Sequence, residues 1–316
     1  MSTSLSKIVL FHRNFRGFTG GHLKVWHYFN HVRAAPCCTP KIYFTEVSRW
    51  DQANPWWQCH EEIVKTWIPA DADVLFLGGL DWTAVPEAFR DEPPIPIINI
   101  VQGFGHMEPD DPRYDFLRHR AIRVCVNPKV EEALRAVPGV NGPIFHVPMG
   151  LDHTSLPQPT RNGNDLVIAA VKAPELGAAL YAKLQRPSRR VELLTKPLPR
   201  RDYLQKIADS SVAVFLPLPK EGFYLPLLEA MAMRRIVVCP DCVSNRVYCF
   251  SGHNGFRPAY TAAAIEGAAE AALALPEEDA RAMSDNAAET AAAYTLDRER
   301  DAFLKILSNL VSLWNR

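Results

Sequence analysis

The chain has 316 residues, more than one hydrophobic core of ordinary size accommodates, so two domains of about 150 residues each are expected. A hydrophobic content of 47% is that of a globular protein and excludes a disordered or fibrous chain. Lys+Arg and Asp+Glu both number 35, so no whole-protein field attracts nucleic acid or an anionic membrane; a local basic patch or peripheral membrane contact stays open.

In chain order, short apolar runs alternate with segments of helical period, the signature of parallel sheets wrapped by helices. The N-terminal run ends at Phe11, before His12 and Arg13, too soon for a signal peptide or a membrane span, and the expectation is a cytoplasmic protein. Strands are expected over 7–11, 41–44, 74–77, 95–101, 123–126 and 144–147, and a helix over 22–32. The segment "VPMGLDHTSLPQPTRNGND" is dense in Pro, Gly, Asn and Asp and reads as a linker, with the boundary near residues 150 to 163. The strand pattern restarts at 166–171, 191–194, 212–216 and 236–238. The expected division is therefore an N-terminal Rossmann-like domain over 1–152 and a C-terminal one over 153–316. The final helix carries Phe303, Ile306, Leu307, Leu310 and Trp314 at spacings of three and four, a packing stripe expected to return to the N-terminal domain. Seven cysteines, an odd count without an export signal, read as reduced thiols.

The stretch "EGFYLPLLEAMAM" (221–233) follows the strand "SVAVFLPL" and precedes the strand "RIVVCP". It is the turn and helix of a βαβ unit, with Pro226 at a helix start, where a missing N–H costs nothing. Glu221 then lies in the loop beyond a strand's carboxyl end and Glu229 about one turn into the helix. Ligands of open α/β sheets bind at that edge. The amides of Gly222, Phe223, Tyr224 and Leu225 and the positive end of the helix dipole suit a phosphate. The plainer alternative is a dipole-complementing Glu229 and a solvated Glu221.

These residues resemble the E-x7-E motif of the retaining GT-B glycosyltransferases of family 4, whose pattern is approximately E-G-F-G-L-P-x-L-E-A-M-A. "FTGG" at 18–21, "HVPMGLD" at 146–152 and "ADSSVAVFLPLPKEGF" follow in the family's order. The resemblance implies two Rossmann-like domains facing across a cleft and a nucleotide-sugar held mainly by the C-terminal domain. It implies that Glu221 meets the donor sugar's hydroxyls, that Gly222 and Phe223 offer amides to the sugar and diphosphate, and that Glu229 accepts from the ribose hydroxyls. Gly20 and Gly21 bring backbone to the donor phosphate or the acceptor, and His106 in "VQGFGHMEP" lies near the donor sugar. The chemistry implied is metal-independent: the acceptor oxygen loses its proton to the departing phosphate, and fixed donors and cations stabilise the diphosphate. Three positions depart from the pattern. Where the family has an arginine and then a lysine after the first C-terminal strand, "VIAAVKAPELG" offers Lys172 and, at the lysine position, Leu176; Lys196 is a second candidate cation. The family's glycine after the aromatic residue is Tyr224 here.

Other constellations carry less. Cys239, Cys242, Cys249 and His253 have spacings that a zinc site could use, but Cys239 closes an apparent core strand. "DAD" at 71–73 precedes its strand and reads as a turn, "GFGHME" lacks a third glycine, and no phosphate loop, G-x-S-x-G elbow or H-E-x-x-H pair occurs. Trp50, Trp56 and Trp57 crowd a polar segment; Trp56 and Trp57 are candidates for acceptor stacking, with core packing and a membrane-surface contact as the alternatives. The expectation is a transferase with a nucleotide-sugar donor, a glycan, lipid-linked or small-molecule acceptor, and no cofactor or metal. The rivals are a catalytically weak relative that binds a nucleotide-sugar or glycan as a partner subunit, and a nucleotide-sugar epimerase on the same scaffold.

Overall fold

The structure is a computed structural model that describes residues 6–160 and 164–315; residues 161–163 of the expected linker lie outside the described residues. The chain forms two compact units: one runs to Met149 and takes in the chain again from Leu296, and the other spans Gly150–Thr295.

In the first unit the strands are β1 (Lys7–Arg13), β2 (Cys38–Phe44), β3 (Ile63–Val64), β4 (Val74–Gly78), β5 (Ile97–Val101), β6 (Ile122–Cys125) and β7 (Ile144–His146). All neighbours pair in parallel, in the order β3-β2-β1-β4-β5-β6-β7. Helices α1 (Gly20–Arg33), α2 (Glu87–Asp91), α3 (Pro112–Asp115) and α4 (Pro128–Arg135) connect them. The central strands β4 and β5 are buried along their whole lengths, which is why they read as unbroken apolar runs. In the second unit β8 (Asn164–Ala169), β9 (Val191–Leu194), β10 (Ser210–Phe215) and β11 (Ile236–Val238) form a parallel sheet ordered β11-β10-β8-β9. It is wrapped by α5 (Pro174–Leu184), α6 (Arg200–Ala208), α7 (Leu225–Ala232), α8 (Ala262–Leu273) and α9 (Glu277–Ala292). Leu166, Ile168, Val212, Val214 and Val238 join Leu180, Leu184 and Ile265 in its core. Gly177 lets α5 lie close to β8: a Cβ there would stand 2.2 Å from that of Ala170. Among the described residues no helix is long and apolar enough to cross a membrane.

The last helices, α10 (Leu296–Ser308) and α11 (Leu310–Trp314), belong to the first unit. All five residues of the C-terminal stripe are buried; Phe303 meets Tyr28 edge-on at 4.7 Å and lies 6.0 Å from Phe76. Helix α1 is buried on two sides. Val25, Phe29 and Val32 are core residues, while Lys24, His27 and His31 are also buried and meet Glu299 of α10. Glu299 is 1% exposed; Lys24 is ion-paired with it, His31 Nε2 lies 3.0 Å and His27 Nδ1 3.8 Å from its Oε2. Burial alone would raise the pKa of Glu299, but Lys24, His31 and His27 reverse the sign and hold it at about 2.

Removing one partner of a buried ion pair strands the other charge, so Glu299→Ala is expected to lower stability by about 3–5 kcal/mol in urea unfolding. Because the folded pKa is below the ordinary value of 4.5, the carboxylate's contribution is present above pH 4.5 and is lost as pH falls towards 2. The natural chain should therefore lose stability through that window more steeply than Glu299→Gln. Parallel acid-unfolding curves for the two would refute the assignment.

Candidate functional site

In the second unit the chain runs from β8 to β9 on one side, then crosses to β10 on the other, so β8 and β10 bracket the point where strand order reverses. Crevices outside the carboxyl ends of strands at such a point are where open α/β sheets bind ligands. Phe215 is in register with Ala169, so the two strands end level. Lys172 lies in the turn after β8 and Glu221 in the loop after β10, and the two side chains form an ion pair. Glu221 is the more buried partner, its side chain 11% exposed against 42% for Lys172, and it also accepts the Leu218 amide at 3.0 Å. The Lys172 ammonium stands 5.5 Å from the centre of the Tyr224 ring, a cation–π contact.

Helix α7 begins at Leu225 with Pro226 in its first turn and no side-chain cap. The backbone N–H groups of Gly222, Phe223, Tyr224 and Leu225 make no hydrogen bond among the described residues, so this helix start presents unpaired donors and the positive end of its dipole. The segment is held from behind. Tyr248 donates its hydroxyl to the Tyr224 carbonyl at 3.0 Å, and the Phe223 ring stacks on Tyr248 at 5.3 Å.

Glu229, on the fifth residue of α7, is 1% exposed and receives the Arg200 guanidinium at 2.5 Å. Burial raises its pKa, opposed by the charge of Arg200 and its hydrogen bond. Arg200 opens α6 and is the residue of this candidate site that sequence reasoning missed. Lys196, the second candidate cation, is instead exposed in the loop between β9 and α6 and makes no ion pair among the described residues. Leu176, at the position where a second cation was sought, packs against the core.

The thiols of Cys239, Cys242 and Cys249 are buried behind this edge, while His253 is exposed and faces Asn286. Among the described residues no group of three or more His, Cys, Asp or Glu is arranged to hold a metal ion.

The first unit has its own reversal of strand order, between β1 and β4. Gly20 and Gly21 open α1 there, capped by Thr19, whose hydroxyl accepts the His22 amide. Gly21 is closely approached: a Cβ would lie 2.7 Å from Gln102 Oε1, and Gln102 donates to the Gly21 carbonyl at 3.2 Å. Beside them Asp81 pairs with Arg13, meets His12 Nδ1 at 3.2 Å and accepts the Gly78 amide at 2.8 Å. This cluster was not singled out from sequence, although two polar residues closing the strand "KIVLFHR" are the signal it leaves. His22 joins it from α1; burial and Arg13 lower its pKa to about 4 against the pull of Asp81. His106 lies in a turn of 3-10 helix after β5, Phe104–Met107, and is 3% exposed. Burial, then Arg113 and Arg123, lower its pKa to about 3, so it is a neutral imidazole at physiological pH and not an acid.

Trp56 requires correction as an acceptor contact: it is fully buried. The Asn54 side-chain Oδ1 accepts the Trp56 amide at 3.0 Å, a tight turn that swings the ring under α1 against Trp26 and Phe29. Trp57 is only half-buried and borders a cavity in the first unit.

No protein-family model and no curated protein matches the chain. Solved structures do. Sucrose-phosphate synthase from Thermosynechococcus elongatus superposes with a TM-score of 0.74 at 13% identity, over 97% of this chain and 99% of that one. Anabaena HepE in complex with UDP and glucose gives 0.77 at 11% identity, over 96% and 100%. A glycosyltransferase from Rickettsia africae gives 0.70 at 10% identity, over 97% and 99%. At these identities the likeness establishes the fold, and the fold is the GT-B type: two Rossmann-like α/β domains.

Replacing Arg200 with Met leaves the Glu229 carboxylate buried without its counter-charge. The expected outcome is a further rise in the pKa of Glu229 and a loss of about 1–3 kcal/mol at pH 7. A raised pKa stabilises the fold below pH 4.5, the ordinary value, and that contribution fades as pH rises through the folded value, so Arg200→Met should recover stability on acidification. Urea titrations at pH 7 and 4.5 check the sign.

Proposed function

We propose that the chain is a retaining glycosyltransferase that moves a sugar from a nucleotide-sugar to an acceptor hydroxyl without a metal ion. The observation that carries this reading is the pairing of Glu221 and Glu229 around the uncapped start of α7, at the strand-order reversal of the second unit. The N–H groups of Gly222, Phe223, Tyr224 and Leu225 receive the diphosphate, and Glu229, held by Arg200, accepts from the ribose hydroxyls. Lys172 moves from Glu221 to a phosphate oxygen as the donor binds, which frees Glu221 to accept from the sugar's hydroxyls. The exchange is cheap, because an ion pair this exposed on its lysine side contributes about 0–1 kcal/mol. Anabaena HepE, of the same fold, holds UDP and glucose, which makes UDP-glucose the first donor to test.

Bond breaking leaves a nucleoside diphosphate and an oxocarbenium-like sugar, and the positive helix terminus and Lys172 stabilise the departing charge. The acceptor oxygen bonds to the anomeric carbon on the face the phosphate leaves, and its proton passes to a phosphate oxygen. Gly20 and Gly21 offer backbone to the donor phosphate or the acceptor, and the buried His106 serves the donor sugar as a neutral hydrogen-bonding group. The acceptor is a glycan, a lipid-linked sugar or a small molecule. One observation favours a second reading, a nucleotide-sugar-binding relative of low activity: Leu176, packed against the core, leaves Lys172 as the one cation paired at Glu221 among the described residues.

UDP-glucose at about a hundred times its Kd should raise stability by about 2.7 kcal/mol, seen as a thermal shift that EDTA leaves unchanged. Glu221→Ala should lower transfer about 100-fold or more with the melting point retained, and Glu229→Ala should weaken UDP binding. Binding without transfer to any acceptor selects the second reading. Transfer undiminished in Glu221→Ala, or a shift abolished by EDTA, refutes the first.

A further inference from the structure

The first unit carries a cavity of about 1000 Å³ that the donor chemistry does not use. It lies between the C-terminal half of α1, from Trp26 to Arg33, and the segment 52–62 that leads into the edge strand β3. Arg33 is thirteen residues beyond Gly20, about 20 Å along the helix from the carboxyl edge of the sheet.

Its walls are built in advance. The Trp26 ring is half-buried and braced edge-on by the fully buried Trp56 at 5.4 Å. Trp57 is half-buried and packs against Trp50 at 5.6 Å. The Arg33 guanidinium is fixed by Glu62 at 2.7 Å and by Cys59 Sγ at 3.1 Å, and stands 5.1 Å from the Phe29 ring centre and 5.9 Å from that of Trp26. Around these planes stand Gln52 and Gln58, exposed side chains that make no hydrogen bond among the described residues.

We propose that this cavity is a carbohydrate-binding site, separate from the donor half-site and independent of the transferase reading. A pyranose ring has an apolar C–H face, which a tryptophan plane covers, and a rim of hydroxyls that must both donate and accept. Half-exposed tryptophans beside unpaired amides, a guanidinium and a carboxylate meet both needs at once. The carboxylates of Glu61 and Glu62 oppose a phosphorylated ligand, because Arg33 is already committed to Glu62. The polar rim is equally wrong for an acyl chain. At the upper end of small-molecule site volumes, the cavity suits an oligosaccharide better than a single ring.

The test titrates the full chain with maltotetraose, cellotetraose and mannotetraose, following tryptophan fluorescence and saturation-transfer NMR. At least one tetraose should bind saturably. Trp57→Ala should weaken it about tenfold, by loss of a stacked plane, whereas Trp57→Phe, which keeps a ring, should stay within about threefold. Arg33→Gln should also weaken it, which keeps the test open if Trp57→Ala fails to fold. Glu221→Ala should bind the tetraose as the natural chain does, so a failure of the transferase reading and a failure of this site are told apart. Absence of binding by all three tetraoses, binding unchanged in both Trp57→Ala and Arg33→Gln, or saturable binding of uridine in their place would overturn the proposal.

Discussion

A single carboxylate closes the first unit. Glu299 reaches the buried face of α1 only because Lys24, His27 and His31 repeat along that helix at spacings of three and four, a polar stripe beside the apolar one. An isolated charge in this position would cost several kcal/mol, so each partner is tolerable only when the other is there. The consequence is topological. The unit is assembled from two separate stretches of chain, one ending at Met149 and one beginning at Leu296, and the second is specified by a charge match as well as by Phe303 against Tyr28 and Phe76. An apolar stripe alone would tolerate sliding by a turn; a buried carboxylate with fixed partners does not.

Position within a sheet then does for chemistry what burial does for stability. In each unit the strand order reverses once, and polar residues that the core would reject collect at or just beyond those strand ends: Arg13 and Asp81 in the first unit, Lys172 and Glu221 in the second. They are partners of one another in the unliganded chain, as charges at a half-buried edge must be. Glu229 is different. It is buried on a helix whose other inward residues are apolar; burial raises its pKa, and Arg200 opposes that rise. A buried acid so held contributes little as packing, and a place at a ligand edge accounts for it better.

The second unit was more legible than the first. The runs 191–194 and 236–238 coincide with β9 and β11; β11 is buried along its whole length and leaves no polar alternation to confuse its ends, while β9 is a half-buried edge strand whose Val191, Leu193 and Leu194 outweigh Glu192. The two-residue β3 is too short to leave any pattern, and 95–101 starts late because Pro96 has no N–H to give to a ladder. For the site, motif spacing located Glu221, Glu229 and the helix start, but nothing in "TKPLPRRD" says which cation reaches Glu229. That depends on where α6 begins, and Pro199 sets the start so that Arg200 is the residue in range. Adjacent tryptophans pose the same problem: "PWW" gives two rings opposite fates, and the Asn54 turn decides which one goes inside.

Two of the three departures from the pattern that the motif resembles meet in space. Lys172 stands where an arginine is usual and Tyr224 where a glycine is usual, and the ammonium of the first lies over the ring of the second. A guanidinium can hold a phosphate through a rigid fork, whereas an ammonium is a point charge on a flexible stem and needs something to aim it. Glu221 and the Tyr224 ring supply that aim from two sides, and Tyr224 is itself fixed through its carbonyl by Tyr248. Glycine at 224 would remove the ring and free the lysine, just as arginine at 172 would make the ring unnecessary. Under the proposed donor site, the two substitutions act as one exchange of a rigid cation for a flexible cation with a platform, not as two independent losses.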